Sequence, residues 1–324
     1  MYRPKTFDEF IGNEQVKERL KMYIAVCKQE KSILPHSIFY GPAGTGKTSL
    51  SNIISNESNG SLFSMTGASI RTQEELFNIM RNIKTEQKNK SVFLFIDEIH
   101  ELPKATLPEA VWLPLIEEFK LFHNLFDLLP APRTRGKIQI VEFKLSPFTI
   151  IGATTNPEGL SKPLRDRFPI CCEMQDYNLL EMSAIARQYL EKISFKIDTK
   201  ALQEMSARSR FNPRTINSFC ELCVLRAKSK QEKCITYATL REEMKAQRID
   251  NLGLGQRDRE MLIILAQHRE GIGISRIANI MLTKSKALTE MHENFLAKIS
   301  LITMGKKGRE ITKKGMKHIT SFYF

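Results

Sequence analysis

Phe39 to Leu50 (FYGPAGTGKTSL) holds residue types whose spacing points to one kind of chemistry. Gly41, Gly46, Lys47 and Thr48 satisfy the pattern Gly-x-x-x-x-Gly-Lys-Ser/Thr, with Gly44 inside the loop. Glycines let successive backbone N–H groups turn toward the β- and γ-phosphates of a nucleoside triphosphate, and a following helix adds its positive N-terminus. Lys47 is placed to reach the β/γ oxygens, and the Thr48 hydroxyl to ligate Mg²⁺. The motif has its required context: Ser37–Tyr40 is β-prone, and Thr48–Ser55 contains neither Gly nor Pro and reads as helix.

A second constellation lies some fifty residues on, where Val92-Phe93-Leu94-Phe95-Ile96 ends in Asp97-Glu98. An apolar strand ending in two acids can offer one to a metal and its neighbour to a water, so Asp97 is expected to hold Mg²⁺ and Glu98 to polarise the attacking water. By itself this is also how a strand meets an acidic loop; after a matching phosphate loop it argues for hydrolysis. Thr149 to Asn156 (TIIGATTN) is another apolar strand with polar side chains at its end. Leu164-Arg165-Asp166-Arg167-Phe168 sets two guanidiniums just beyond it, a charge type suited to a transferring phosphoryl group. Arg214 follows Asn212-Pro213 at a helix start. Either arginine is otherwise an ordinary surface residue.

Short apolar runs at 37–40, 92–96 and 149–152, separated by helix-length segments, predict a buried parallel sheet with the nucleotide at its carboxyl ends. From Tyr177 the pattern becomes helical: Leu179–Ile193, Thr199–Ser209, Pro213–Ser229 and Thr236–Gln247. Asp250–Gly255 reads as a linker. Further helices follow, then a hairpin over Ile299–Ile311 turning at Gly305–Gly308.

The chain's 324 residues suit two or three domains, and 42% hydrophobic with 26% charged residues is a globular composition. No apolar stretch is long enough to span a bilayer, and MYRPKTFDEF lacks a signal-peptide core, so a cytoplasmic protein is expected. The net charge of +13 favours polyanionic partners, and from Leu254 onward 13 Lys or Arg face 6 Asp or Glu. Six cysteines without an export signal are expected to be reduced. Cys220-Glu-Leu-Cys223 is better read as buried packing than as half a zinc site.

Taken in order, GPAGTGKTSL, FIDEIHELP, FTIIGATTN, PLRDRF and NPRTIN resemble the AAA+ ATPases, and among them the RuvB family of Holliday-junction branch-migration motors. The resemblance extends from Arg3-Pro4-Lys5 and Glu9–Gly12 nearly to the C-terminus. It implies ATP and Mg²⁺ as ligands, with Tyr2 and Arg3 flanking the base. Gly44, Lys47, Thr48 and Ser49 would hold the phosphates, and Glu117, Glu118, Phe119 and Tyr177 would lie near the nucleotide. It makes Thr155 a first sensor, Arg167 an arginine finger entering a neighbouring subunit's site, and Arg214 a second sensor. Residues near 120–145 resemble the hairpin that docks the junction-binding partner RuvA. Lys306, Lys307 and Arg309 stand in the place of a DNA-contacting wing tip, with lysine where the family has arginine.

The expected architecture is therefore an α/β AAA+ P-loop core with a parallel sheet (1–177), an all-α lid (178–250) and a C-terminal winged helix (251–324). The expected activity is ATP hydrolysis by a homohexameric ring that drives branch migration of four-way DNA junctions in recombination and repair, with a RuvC-like resolvase as a further partner. A clamp-loader-like or helicase-loading ATPase, and a DNA-binding regulator switched by nucleotide, are the alternatives.

Overall fold

The computed structural model describes residues 3–87, 90–102, 109–124 and 140–323, and the chain divides into two compact units at Tyr177/Asn178. In the first unit α1 (Glu14–Glu30), β1 (Ser37–Tyr40), α2 (Lys47–Glu57), β2 (Ser61–Thr66), α3 (Gln73–Glu86) and β3 (Val92–Asp97) alternate. After α4 (Glu109–Glu118) comes an antiparallel pair, β4 (Lys120–Asn124) and β5 (Ile140–Lys144), and then β6 (Thr149–Thr154), α5 (Lys162–Arg165) and β7 (Ile170–Glu173). The tip of the partner-docking hairpin expected near 120–145 lies outside the described residues.

The main sheet is parallel throughout, in the order β2-β3-β6-β1-β7. Its strands are apolar at consecutive positions because neighbouring residues face different cores. Ile38, Leu94, Ile96 and Ile150 pack with Leu76, Met80, Trp112 and Leu115 of α3 and α4 on one face. Phe39, Phe93, Phe95 and Ile151 pack with Leu20, Ile24, Leu50 and Ile53 of α1 and α2 on the other. The sequence patterning identifies β1, β3 and β6, the central strands. β2 and β7 are the two edges, and their half-exposed faces (SLFSMT, ICCE) blur the apolar signal.

The second unit opens with α6 (Leu179–Lys192), held by a capping box in which Asn178 and Glu181 satisfy each other's backbone N–H groups. α7 (Thr199–Arg208), α8 (Pro213–Ser229) and α9 (Tyr237–Ala246) follow, tied by a two-residue parallel pairing of β8 (Lys196–Ile197) with β9 (Cys234–Ile235) that a helices-only reading does not anticipate. Cys220 and Cys223 are buried on α8. Burial raises both thiols, Cys223 to about 12, so they pack as protonated groups in the interior of this unit.

The stretch expected as a linker is a pinned turn. The Asp250 carboxylate, fully buried, accepts from Leu252 N (2.9 Å), Leu254 N (2.8 Å) and His318 Nε2 (2.9 Å). Gly253, at φ 78°, lies so close to the backbone that a Cβ would come within 2.5 Å of the Arg208 carbonyl oxygen. Beyond it are α10 (Gln256–Gln267), α11 (Ile274–Ile280), α12 (Ser285–Leu288) joined through one π turn to α13 (Asn294–Lys298), the hairpin β10 (Ile302–Gly305) and β11 (Gly308–Ile311), and α14 (Lys313–Tyr323). No described helix is long and apolar enough to cross a membrane.

His36 ties the amino end of the sheet to α4. Its Nδ1 accepts from Ile150 N and its Nε2 donates to Ile116 O, each at 2.9 Å, which selects the neutral tautomer. Burial pushes its pKa below the ordinary imidazole value. As pH falls, the unfolded chain takes the proton first, so the stability contributed by neutral His36 is complete above about pH 6.5 and is lost below it. The unfolding free-energy advantage of the wild type over His36→Phe should accordingly shrink between about pH 7 and pH 5, as measured by denaturant titration at each pH.

Candidate functional site

Parallel strands share one carboxyl edge, and there the chemistry-bearing residues meet. The turn after β1 is anchored to β6 by Gly41 N donating to Thr154 O (3.3 Å). Gly41, Gly44 and Gly46 all have positive φ (140°, 87° and 95°), which aims the loop's N–H groups as an anion cradle requires. Gly46 caps α2 without a side-chain acceptor, so the first N–H groups of this helix are free of side-chain capping. A Cβ at Gly46 would meet the Phe10 ring at 2.7 Å and the Tyr177 hydroxyl at 3.2 Å. The loop is thus packed from behind by the N-terminal segment, through buried Phe10, and by Tyr177, whose hydroxyl donates to Thr45 O (3.1 Å).

Buried Lys47 donates to the carbonyls of Gly41 and Pro42, each at 2.8 Å. A lysine closing its own loop is positioned to exchange those carbonyls for phosphate oxygens. The cradle, the unfilled helix cap and the lysine fit a triphosphate. Thr48 and Ser49 lie half-buried on the first turn of α2, and Asp97 ends β3 on the same edge.

Glu98 adopts a left-handed backbone (φ 47°), an uncommon state for a non-glycine residue that over-determining contacts must hold. Thr155 supplies them: its N–H donates to Glu98 Oε2 (3.2 Å) and its hydroxyl lies 3.1 Å from Oε2 and 3.3 Å from Oε1. His100 Nδ1 is 3.2 Å from the same carboxylate and 2.8 Å from Thr154 Oγ1. Sequence reasoning gives His100 no role. Its only signal is its place two residues after Glu98, and the contact with Thr154 depends on β6 lying beside β3.

Arg167 is elsewhere. It lies just before β7, whose first residue, Ile170, pairs with Ser37 at the amino end of β1. The length of β1, on the order of 10 Å, separates that level from the phosphate loop. Its guanidinium donates to Pro163 O and pairs with Glu117, both at 2.8 Å. Glu118 pairs with Lys120 (2.6 Å), and Phe119, at φ 54°, packs against His36 and Phe148. Glu117, Glu118 and Phe119 therefore join Arg167 at the amino end and not the loop of their own chain. Arg3 is exposed, and Tyr2 lies outside the described residues. Arg214 is exposed at the start of α8, in the second unit, with its backbone N–H capped by Asn212.

Comparisons with known proteins agree along the whole length. Residues 2–174 match the model of the Holliday junction DNA helicase RuvB P-loop domain, and residues 251–320 match that of the RuvB C-terminal winged helix domain. The chain belongs to the RuvB family. The Holliday junction branch migration complex subunit RuvB of Pediococcus pentosaceus is 31% identical over 98% of this chain and 90% of its own length. The Lactobacillus gasseri subunit is 33% identical over 96% and 88%. The solved Thermotoga maritima RuvB Holliday junction branch migration motor superposes with a TM-score of 0.81 at 29% identity, covering 98% of each chain.

In the RuvB winged-helix region, two of the three cations expected at the hairpin tip have carboxylate partners, one pair largely buried and the other exposed. Arg309 Nε donates to buried Glu293 at 2.7 Å, and Lys307 pairs with Glu270 at 2.6 Å. Lys306 has no ion pair among the described residues.

Gly46→Ala would place a methyl group against Phe10 at a positive φ and should cost about 1–3 kcal/mol. A fall in the nucleotide-free melting temperature on the order of 5 °C, read by calorimetry, is the expected outcome.

Proposed function

We infer that the protein is an ATP-driven DNA motor that moves the branch point of four-way junctions, working as a homohexameric ring around duplex arms. The observation that carries this reading is the presence in one chain of a hydrolytic strand edge and a winged-helix region, with RuvB relatives matching from end to end.

Lys47 and the N-terminus of α2 hold the phosphates, while Tyr2 and Arg3 flank the base and Tyr177 backs the loop. Thr48 and Asp97 would hold Mg²⁺, which draws charge from the phosphate oxygens when bound. Glu98 orients the attacking water and takes its proton, and Thr155 with His100 fixes where that carboxylate stands. The separation of Arg167 from the loop of its own chain supports a role in trans, in which Arg167 reaches a neighbour's nucleotide and Glu117, Glu118 and Phe119 come with it. Arg214 is the second sensor, by which the helical region reads nucleotide state. Lys306, Lys307 and Arg309 present the wing to the DNA backbone, reading shape rather than sequence. The β4–β5 arms lead into the surface for a RuvA-like partner, and a RuvC-like resolvase would act on the junction so positioned.

The test is migration of a fluorescently labelled synthetic four-way junction with a RuvA-like partner. ATP-dependent movement is expected for the wild type. Glu98→Gln should retain ATP and the junction while losing turnover and movement by roughly 100-fold or more. A wild type that hydrolyses ATP yet leaves the junction unmoved would refute the motor. A nucleotide-switched regulator would show no turnover to lose.

A further inference from the structure

In the second unit, beside the Asp250 turn, lies a cavity of about 590 Å³ whose wall is formed largely by α9 and the residues after it. Five cations line it: Arg208, Arg241, Lys245, Arg248 and Arg259. The two carboxylates on the same wall are committed elsewhere. Asp250 is occupied by His318 and the turn's own N–H groups, with Arg259 at 3.8 Å, and Glu242 is paired with Lys230 and Arg226.

The cations fall into two groups. Arg208 and Arg259 form a fixed back wall: Arg208 donates to Asp250 O and pairs with Glu204, and Arg259 donates to Leu254 O and Arg248 O. Arg241, Lys245 and Arg248 are exposed, and among the described residues none of the three forms an ion pair. The Arg248 guanidinium donates to the neutral amide oxygen of Gln256, at 3.1 Å, and that of Arg241 lies 5.9 Å from the centroid of the Tyr237 ring. Arg241 and Lys245 are one helical turn apart, where like charges repel without an anion between them. A concave wall with three uncompensated cations is an electrostatic site for phosphate, and arginine forks suit its oxygens. At the β10–β11 hairpin, by contrast, two of three basic side chains already have carboxylate partners.

We propose that this cavity binds phosphate groups of a DNA backbone, as a second nucleic-acid contact sharing no residue with the hairpin. The proposal rests on the reading of the chain as a DNA motor. A contact of this kind carries no base preference and is salt-sensitive.

The experiment is equilibrium binding of a labelled duplex to the full chain across about 0.05–0.2 M salt. Arg241→Ala/Lys245→Ala/Arg248→Ala should weaken binding about 10-fold or more and flatten the plot of log affinity against log salt by about 2–3. Its melting temperature and DNA-free ATPase rate should match the wild type. Arg241→Lys/Arg248→Lys should keep the wild-type slope, and if the triple variant fails to fold, Lys245→Gln alone should flatten it by about 1. Unchanged slope and affinity in the folded variants would overturn the proposal while leaving the motor intact. A wild type that binds no duplex would overturn the motor reading itself. If inorganic tripolyphosphate raises the melting temperature of the wild type but not of the triple variant, and duplex binding is equal in both, the cavity takes free phosphate and the DNA assignment fails.

Discussion

The site depends on the parallel register of three buried strands. β1, β3 and β6 are apolar on both faces, so burial between two helical layers is their only stable placement, and each can carry polar chemistry only at its ends. Parallel pairing puts all three carboxyl ends on one edge. Tyr40 lies level with Thr154, and the bond from Gly41 N to Thr154 O joins the phosphate loop to the strand whose next residue, Thr155, holds Glu98. Antiparallel pairing of any one of these strands would send its polar end to the far side and dissolve the constellation.

The same register divides the molecule. Arg167 and Glu117 occupy the amino end, where His36 joins the sheet to α4 through Ile116. A guanidinium there stands about the length of β1 away from the level of its own phosphate loop, which is the placement the proposed role in trans requires. Its pairing with Glu117 is partly exposed, a type of ion pair that contributes little net stability, so it can orient the arginine without locking it.

Much of this is legible in the sequence, and the limits have physical causes. The phosphate loop, the acid pair at Asp97–Glu98 and the central strands are local patterns with strong signals. The edge strands β2 and β7 are not, because one-sided burial dilutes their apolar runs. Asp250–Gly255 has the composition of a linker, and only the buried partner His318, 68 residues from Asp250 along the chain, converts it into a fixed turn. The wing cations look free in sequence because their partners, Glu270 and Glu293, lie 37 and 16 residues away from them. His100 gains its contact with Thr154 from strand order alone. Tertiary pairing of this kind leaves no local trace.

The proposed division of each ATP site between two chains can be examined by mixing two variants. Arg167→Ala keeps Glu98 but has no finger to offer, whereas Glu98→Gln keeps the finger but has no base. Each alone should be nearly inactive as an ATPase. Co-assembled from a denatured or monomeric mixture, the two should recover turnover, because the intact Glu98 site of one chain can be completed by Arg167 of the other. If the mixture is no more active than the sum of its parts while hexamers form, the divided site is contradicted.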